Sequence, residues 1–150
     1  MKINQASINL IKSFEGFFAK PYLCPAFVAT IGYGTIKYPS GVKVKLTDPP
    51  ITEKKALDYL IYEVTEKAKL IDPMLRDDLT ENQFGALVSF SYNLGEGALK
   101  QSTLRIKINE NPLNLEIRNE FSKWVYANGK KLNGLIRRRK AEADLYFTPS

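Results

Sequence analysis

The chain has 150 residues, of which 44% are apolar and 25% are charged, and this balance favours a folded domain over a disordered chain. It contains no histidine and one cysteine, which excludes an intrachain disulfide framework and a histidine-based catalytic triad, and nearly excludes a His/Cys zinc site. Acid–base chemistry must therefore come from Glu, Asp, Lys, Tyr or Cys side chains. The net charge of +6 favours anionic partners, which include nucleic acid, anionic membrane surfaces and cell-wall polymers.

A helix is predicted over residues 4–14, where apolar side chains recur at helical spacing. Gly16 is placed to end this helix, with Glu15 in its last turn. The N-terminal stretch has no apolar run of signal-peptide length, and no stretch approaches the roughly 20 apolar residues of a membrane span. We therefore expect a protein made in the cytoplasm, without a signal peptide and without stable membrane insertion.

Prolines and glycines interrupt the next segment, and two short runs between them indicate strands. VATIGY spans residues 28–33, and VKVKL spans residues 42–46 with clean alternation of apolar and charged side chains. The sequence predicts a small antiparallel sheet of two or three strands, in a β-rich lobe that covers about residues 15–51.

Helices are predicted for the remainder of the chain. Thr52 caps a long helix over residues 52–71, which links the β-rich lobe to a helical lobe at residues 72–150. The predicted fold class is α+β: a small antiparallel sheet lobe and a larger helical lobe, joined by a long helix. Both lobes belong to a single domain spanning residues 1–150, and the N-terminal helix 4–14 is assigned to the helical lobe.

The helical lobe has a clear centre in the sequence. Thr80 and Gln83 form a capping box, and the helix behind them is apolar on nearly all sides, which is typical of a buried central helix. Gly95 ends this helix. Three further helices are predicted at residues 97–109, 114–127 and 133–147.

A carboxylic acid, a thiol and a hydroxyl lie within one short segment, at Glu15, Cys24 and Thr30. Each has an ordinary structural interpretation: a helix-end glutamate is usually solvated, a lone cysteine is usually a small buried apolar residue, and threonine is common in strands. The combination of the three favours a hydrolytic site, and the residues alone leave both interpretations open.

The densest basic run is Arg137–Lys140, preceded by Lys130 and Lys131. No helix-turn-helix, zinc-finger or RNA-binding signature accompanies it. We therefore interpret it as a solvated helix face, and no nucleic-acid partner is expected.

The chain resembles the phage-type lysozymes, the endolysins of glycoside hydrolase family 24. Three segments carry the resemblance in order along nearly the whole chain: FEG followed by TIGYG, then TENQFGALVSFSYNLGEGALKQSTL, then FSKWVYANGKKLNGLIRRRKAEADLY. The N-terminal motif of the family is Glu, eight residues, Asp or Cys, five residues and Thr. Glu15, Cys24 and Thr30 match that spacing.

The resemblance implies a lysozyme-like fold and hydrolysis of the β-1,4 bond between N-acetylmuramic acid and N-acetylglucosamine in peptidoglycan. By this likeness Glu15 is the general acid, and Cys24 and Thr30 position the attacking water. The resemblance also implies four substrate-binding residues. Tyr92 and Asn93 fall in the segment that lines the saccharide cleft in the family, and Ser102 falls in another cleft-side segment. Arg139 lies in the helix whose arginines approach the catalytic Glu in the family. No cofactor or metal is implied, because the chemistry needs only a proton donor and an oriented water.

The chain departs from the family pattern at two positions. Cys24 stands where many members have Asp, and a free thiol of pKa about 8.5 is only a few per cent thiolate near neutral pH. Two mechanisms stay open: inversion, with the acid and base roughly 6.5–9.5 Å apart, and retention by direct attack of Cys24, at about 5 Å. The family favours inversion. Thr35 follows IGYG where many relatives have His, which removes a titrating group near the site.

The leading hypothesis is an active muramidase of a phage or prophage, which acts as a monomer on bacterial peptidoglycan. It would leave the host cytoplasm through a holin-type membrane lesion. The alternative is a catalytically silent peptidoglycan-binding protein with the same fold. The presence of both Glu15 and Thr30 favours the enzyme, because a glycan binder has no need of a proton donor.

Overall fold

The computed structural model describes residues 1–150 and contains seven α-helices and two two-stranded antiparallel sheets. In chain order the elements are α1 Gln5–Glu15, β1 Phe18–Leu23, β2 Ala29–Gly32, α2 Glu53–Ile71, α3 Glu81–Leu94, α4 Glu96–Gln101, α5 Thr103–Glu110, α6 Glu116–Ser122, β3 Tyr126–Ala127, β4 Lys130–Lys131 and α7 Asn133–Tyr146. A short 3₁₀ helix, Asp72–Met74, follows α2. The architecture is helix-rich α+β, and none of its helices combines the length and apolarity needed to cross a bilayer.

The chain divides into two compact units. The sheet unit is Ile11–Glu66, and the helical unit is Met1–Leu10 together with Lys67–Ser150. Both boundaries fall inside helices, so α1 and α2 each contribute residues to both units. The predicted long helix over residues 52–71 is confirmed as α2.

The sheet unit is built on the pairing of β1 with β2, in a register that places Tyr22 opposite Thr30. The predicted strand over residues 28–33 is confirmed as β2, whereas β1 was not foreseen as a strand. The sequence of β1, FAKPYL, contains Pro21 and does not alternate apolar and polar residues. It therefore lacks the period of two that indicates a strand.

The predicted strand over residues 42–46 is wrong. This segment makes one isolated antiparallel bridge, between Lys37 and Lys43, and enters a turn. Asp48 holds the turn, because its carboxylate accepts hydrogen bonds from the Lys45 amide at 2.9 Å and from the Tyr38 hydroxyl at 2.7 Å. Alternation alone does not form a strand, since a ladder also needs a partner of matching length.

The helical unit is organised around α3, and the capping box is formed as predicted. The Thr80 side chain accepts from the Gln83 amide, and the Gln83 side chain accepts from the Thr80 amide. Every residue from Asn82 to Ser91 is buried, which confirms the prediction of a central helix. The helix packs against α7 and α4, and its Phe90 ring contacts Trp124 edge-on at a centroid distance of 5.5 Å.

Two of the later helices differ from their predicted extents. The predicted helix 97–109 is two helices, because Ser102 leaves the helical conformation and caps α5 by accepting from the Arg105 amide at 3.0 Å. The predicted helix 114–127 ends at Ser122, and a β3–β4 hairpin follows. Its turn residues Asn128 and Gly129 both have positive φ, as an Asn-Gly hairpin turn requires. The predicted helix 133–147 is confirmed as α7.

We expect Gly85→Ala to destabilise the protein by about 1–3 kcal/mol, the usual cost of overpacking a core. A Cβ atom at Gly85 would overlap Ser7 Oγ and lie 2.8 Å from Ser7 Cβ. Ser7 cannot yield freely, because its hydroxyl donates to Asn4 Oδ1 at 2.6 Å. This clash outweighs the gain of about 1 kcal/mol that alanine brings to a helix. Chemical denaturation measures the difference in unfolding free energy.

The matched control is Gly97→Ala in α4, where a Cβ atom meets nothing within 4 Å. Only the helix propensity then acts, so this variant should be stabilised by up to about 1 kcal/mol. Equal effects of the two substitutions would contradict the close approach of Ser7 to Gly85.

Candidate active site

The backbone at the end of α1 determines where the carboxyl group of Glu15 lies. The helix ends there because Gly16 adopts a left-handed conformation, φ +71°, while its amide donates to the Lys12 carbonyl at 3.0 Å. Glu15 is half-buried, and it belongs to the sheet unit. The predicted general acid is therefore held by a fixed helix end.

Cys24 begins the tight connection between β1 and β2. Its amide donates to the Val28 carbonyl at 3.1 Å, and its carbonyl accepts from the Phe27 amide at 2.8 Å. Phe27 takes a positive φ of 62°, which closes the turn in few residues. Thr30 lies just beyond this turn, is 3% exposed, and donates its hydroxyl to the Val28 carbonyl at 2.9 Å. Cys24 and Thr30 are thus brought together by one hairpin.

The turn also polarises the thiol of Cys24. The pKa of Cys24 is lowered, chiefly by a hydrogen bond from the Val28 backbone amide and further by the Ala26 amide and the Thr30 hydroxyl, while partial burial opposes the shift. A hydroxyl group can rotate its proton from one acceptor to another. The Thr30 hydroxyl can therefore donate to the Val28 carbonyl when the thiol is protonated, and to the sulfur when the thiol is ionised. The arrangement favours a thiolate, which is the form that accepts a proton or attacks carbon.

Tyr22 belongs to the same cluster, although the sequence did not single it out. It pairs with Thr30 across the hairpin, and its ring contacts Phe18 at a centroid distance of 4.3 Å. Burial raises the pKa of Tyr22, and the negative charges of Glu15 and Cys24 raise it further. Tyr22 is therefore close enough to Glu15 and Cys24 for their charges to act on it. The sequence does not predict its pairing with Thr30, because β1 is not recognisable as a strand.

Thr35, the other departure from the family pattern, is completely buried beside β2. Its backbone pairs with Ile31 through two hydrogen bonds of 2.9 Å, but its hydroxyl has no hydrogen-bond partner. An unsatisfied buried hydroxyl costs stability, and a methyl group of similar size removes that cost. We expect Thr35→Val to raise the unfolding free energy by about 1 kcal/mol in chemical denaturation.

The same substitution at exposed Thr65 in α2 serves as the control and should change stability by less than about 0.5 kcal/mol. A Thr35→Val protein that is less stable than the parent would show that the hydroxyl contributes to the fold.

The other predicted site residues lie in the helical unit, and two of them are in contact. The Arg139 Nη2 group donates to Asn93 Oδ1 at 2.7 Å, which joins α7 to the end of α3. Asn93 is half-buried, as is its neighbour Tyr92, whereas Arg139 is only 1% exposed. Ser102 is 2% exposed and lies apart from this pair as the cap of α5. A direct contact of these residues with a saccharide stays a prediction.

A buried ion cluster that the sequence did not reveal surrounds Glu142 in α7. Its carboxylate lies 2.8 Å from Arg139 Nε and 3.4 Å from Arg138 Nε, and it accepts from the Ser89 hydroxyl at 2.6 Å. Burial raises the pKa of Glu142, and the two arginines oppose this rise. Two guanidinium groups and a hydroxyl thus surround this carboxylate. The spacing of three and four residues along α7 was the only sequence signal for this cluster.

Comparison with known proteins identifies the family. Residues 12–142 match the family model for phage lysozyme. An endolysin of Bacillus phage B103 is 45% identical over 150 residues, which cover 99% of this chain and 55% of that protein. The chain thus spans about half the length of the first curated relatives that it matches.

Solved structures agree with this assignment. An endolysin from Escherichia coli O157:H7 phage FAHEc1 superposes with a TM-score of 0.88 at 34% identity, covering 98% of this chain and 94% of that chain. The muramidase domain of SpmX from Asticaccaulis excentricus superposes with a TM-score of 0.84 at 33% identity, covering 99% of each chain. The predicted lysozyme-like α+β fold is confirmed, and the chain belongs to the phage lysozyme family, a family of glycoside hydrolases.

Proposed function

We propose that this chain is a muramidase that hydrolyses the β-1,4 bond between N-acetylmuramic acid and N-acetylglucosamine in peptidoglycan. The observation that carries the proposal is the hairpin in which backbone amides, that of Val28 above all, and the Thr30 hydroxyl lower the pKa of Cys24. The charges of Glu15 and Cys24 both raise the pKa of Tyr22, which indicates that the acid and the thiol lie in one region of the sheet unit. Membership of the phage lysozyme family supplies the substrate class.

In the proposed reaction Glu15 gives its proton to the glycosidic oxygen as the bond to the anomeric carbon breaks. A water molecule held by Thr30 attacks the anomeric carbon from the opposite face and passes a proton to the Cys24 thiolate. This sequence inverts the configuration at the anomeric carbon. The alternative is retention, in which the sulfur itself attacks and a water molecule later hydrolyses the glycosyl-enzyme.

The proposed partner is bacterial peptidoglycan, and the net charge of +6 favours attraction to an anionic wall. A monomer suffices for this chemistry, because every proposed catalytic group comes from one chain. Release through a holin-type lesion and the absence of a nucleic-acid partner stay predictions.

The test is digestion of purified peptidoglycan, followed by borohydride reduction of the new reducing ends and identification of the reduced sugar. The proposal expects muramitol ends from the parent and at least about 10²-fold fewer from Glu15→Gln in the same time. Reduced glucosamine ends would contradict the bond assignment. If neither protein releases reducing ends while both are folded and pellet with the wall, the silent peptidoglycan-binding protein becomes the better description.

A further inference from the structure

We infer that Arg139 is a positioning residue, which orients the side-chain amide of Asn93 so that its Nδ2 group donates a hydrogen bond to an oxygen of the glycan. The inference rests on the proposed function and names how one saccharide contact is made. It replaces a direct role for Arg139, whose side chain is 1% exposed and therefore has little surface to offer a ligand.

The guanidinium group of Arg139 is held from several sides. It forms an ion pair with Glu142 at 2.8 Å, and it stacks over the Phe90 ring at 5.2 Å from the ring centroid. Glu142 is itself fully buried and accepts from the Ser89 hydroxyl. The donor that meets Asn93 is thus fixed by the interior of the helical unit, and it does not depend on a mobile side chain.

The chemistry of the two groups then determines the orientation of the amide. A guanidinium group carries only hydrogen-bond donors, so the Asn93 atom that faces it at 2.7 Å must be the carbonyl oxygen. The Nδ2 group is consequently turned away from Arg139, and the hydrogen bonds of Asn93 include no acceptor for it within the chain. Asn93 is half-buried, so the residue keeps some surface that a ligand can reach. Sugar hydroxyls and acetamido carbonyls are suitable acceptors.

Asn93→Asp separates the structural contact from the ligand contact. A carboxylate still accepts from Arg139, with a stronger charge-assisted bond, but it has no proton to give to the glycan. We expect a thermal midpoint no lower than the parent's and a dissociation constant about tenfold weaker, the size of one lost hydrogen bond. The measurement is calorimetric titration with soluble, uncross-linked peptidoglycan strands in the Glu15→Gln background, in which binding is not followed by cleavage.

Ser89 supplies the matched control for Arg139. Its hydroxyl donates to the same carboxylate at 2.6 Å, so Ser89→Ala disturbs the cluster around Glu142 without replacing either partner of the Arg139–Asn93 hydrogen bond. Arg139→Lys should weaken glycan binding, and it should cause no further loss when combined with Asn93→Ala. Ser89→Ala should leave affinity unchanged, although Ser89→Ala and Arg139→Lys both remove or weaken donors to Glu142 and should both lower the thermal midpoint.

Three outcomes overturn the inference. Unaltered glycan affinity in Asn93→Asp would overturn it while leaving the proposed function intact, provided that the parent releases reducing ends. Equal losses of affinity in the Ser89 and Arg139 variants would show that both act only through the stability of the cluster. No glycan binding by the Glu15→Gln background, together with an inactive parent, would overturn the inference and the proposed function at once.

Discussion

Replacing Glu15 by Gln is expected to slow peptidoglycan hydrolysis by about 10²–10⁴-fold, the contribution of a positioned general acid. The glutamine amide has nearly the same shape but cannot transfer a proton to the leaving oxygen. Glu15 lies at a helix end that Gly16 and its backbone hydrogen bond define, so the substitution should leave the course of the backbone unchanged. The initial rate of reducing-end release measures the effect.

Glu110→Gln makes the same change of charge at an exposed position at the end of α5 and should keep the parent rate. A Glu15→Gln protein that is folded and loses less than about tenfold in rate would remove Glu15 from the role of general acid. Tyr22, whose pKa the charge of Glu15 raises, would then be the next candidate for the proton donor.

The second large effect is expected at Cys24. Cys24→Ala removes the proposed acceptor of the proton of the attacking water, and we expect a loss of about 10²-fold or more in rate. Cys24→Asp restores a base and should keep activity within about tenfold of the parent. An alanine variant as active as the parent would show that Cys24 only fills space in the hairpin.

The pH dependence of the rate distinguishes the thiol from the carboxylate. Below its pKa the thiol is protonated and cannot accept a proton, so activity should fall as the pH falls through the pKa of Cys24, which is lowered by its hydrogen bonds. This fall forms the acidic limb of the pH–rate profile. Cys24→Asp should move the acidic limb to much lower pH, because a carboxyl group ionises near pH 4. An unmoved acidic limb would assign it to another group.

Alkylation measures the thiol directly, since Cys24 is the only cysteine in the chain. The rate of reaction with iodoacetamide follows the thiolate fraction, so its midpoint in pH gives the pKa. Thr30→Val removes one of the hydrogen bonds to the sulfur and should move this midpoint to higher pH. A midpoint that stays in place would mean that the backbone amides alone polarise the sulfur.

Local signals in the sequence were sufficient for much of this protein. The capping box at Thr80 and the apolar run behind it predicted the central helix, because a cap and an apolar periodicity act within a few residues. The match of Glu15, Cys24 and Thr30 to the family motif implied that they act together, and the structure adds the hairpin that joins the last two.

Other features were decided by contacts between residues distant in the chain. Alternation in residues 42–46 predicted a strand, but no partner of sufficient length is present, and an isolated bridge forms instead. Ser102 divides a predicted helix because its hydroxyl competes with the helical hydrogen bonds, and the sequence pattern does not show which of the two prevails.

The basic run in α7 shows most clearly which features the sequence determines and which features depend on the tertiary structure. The sequence determined that four successive residues, Arg137–Lys140, are cationic and helical, and this pattern favoured a solvated face. Only the tertiary structure separated them: Arg138 and Arg139 are buried around Glu142, while Arg137 and Lys140 remain exposed. A buried guanidinium requires a carboxylate and an aromatic face in place of water. Helix α3, some fifty residues away in the chain, supplies the Phe90 ring beside Arg139 and the Ser89 hydroxyl beside Glu142. Only folding brings these groups next to the arginines of α7.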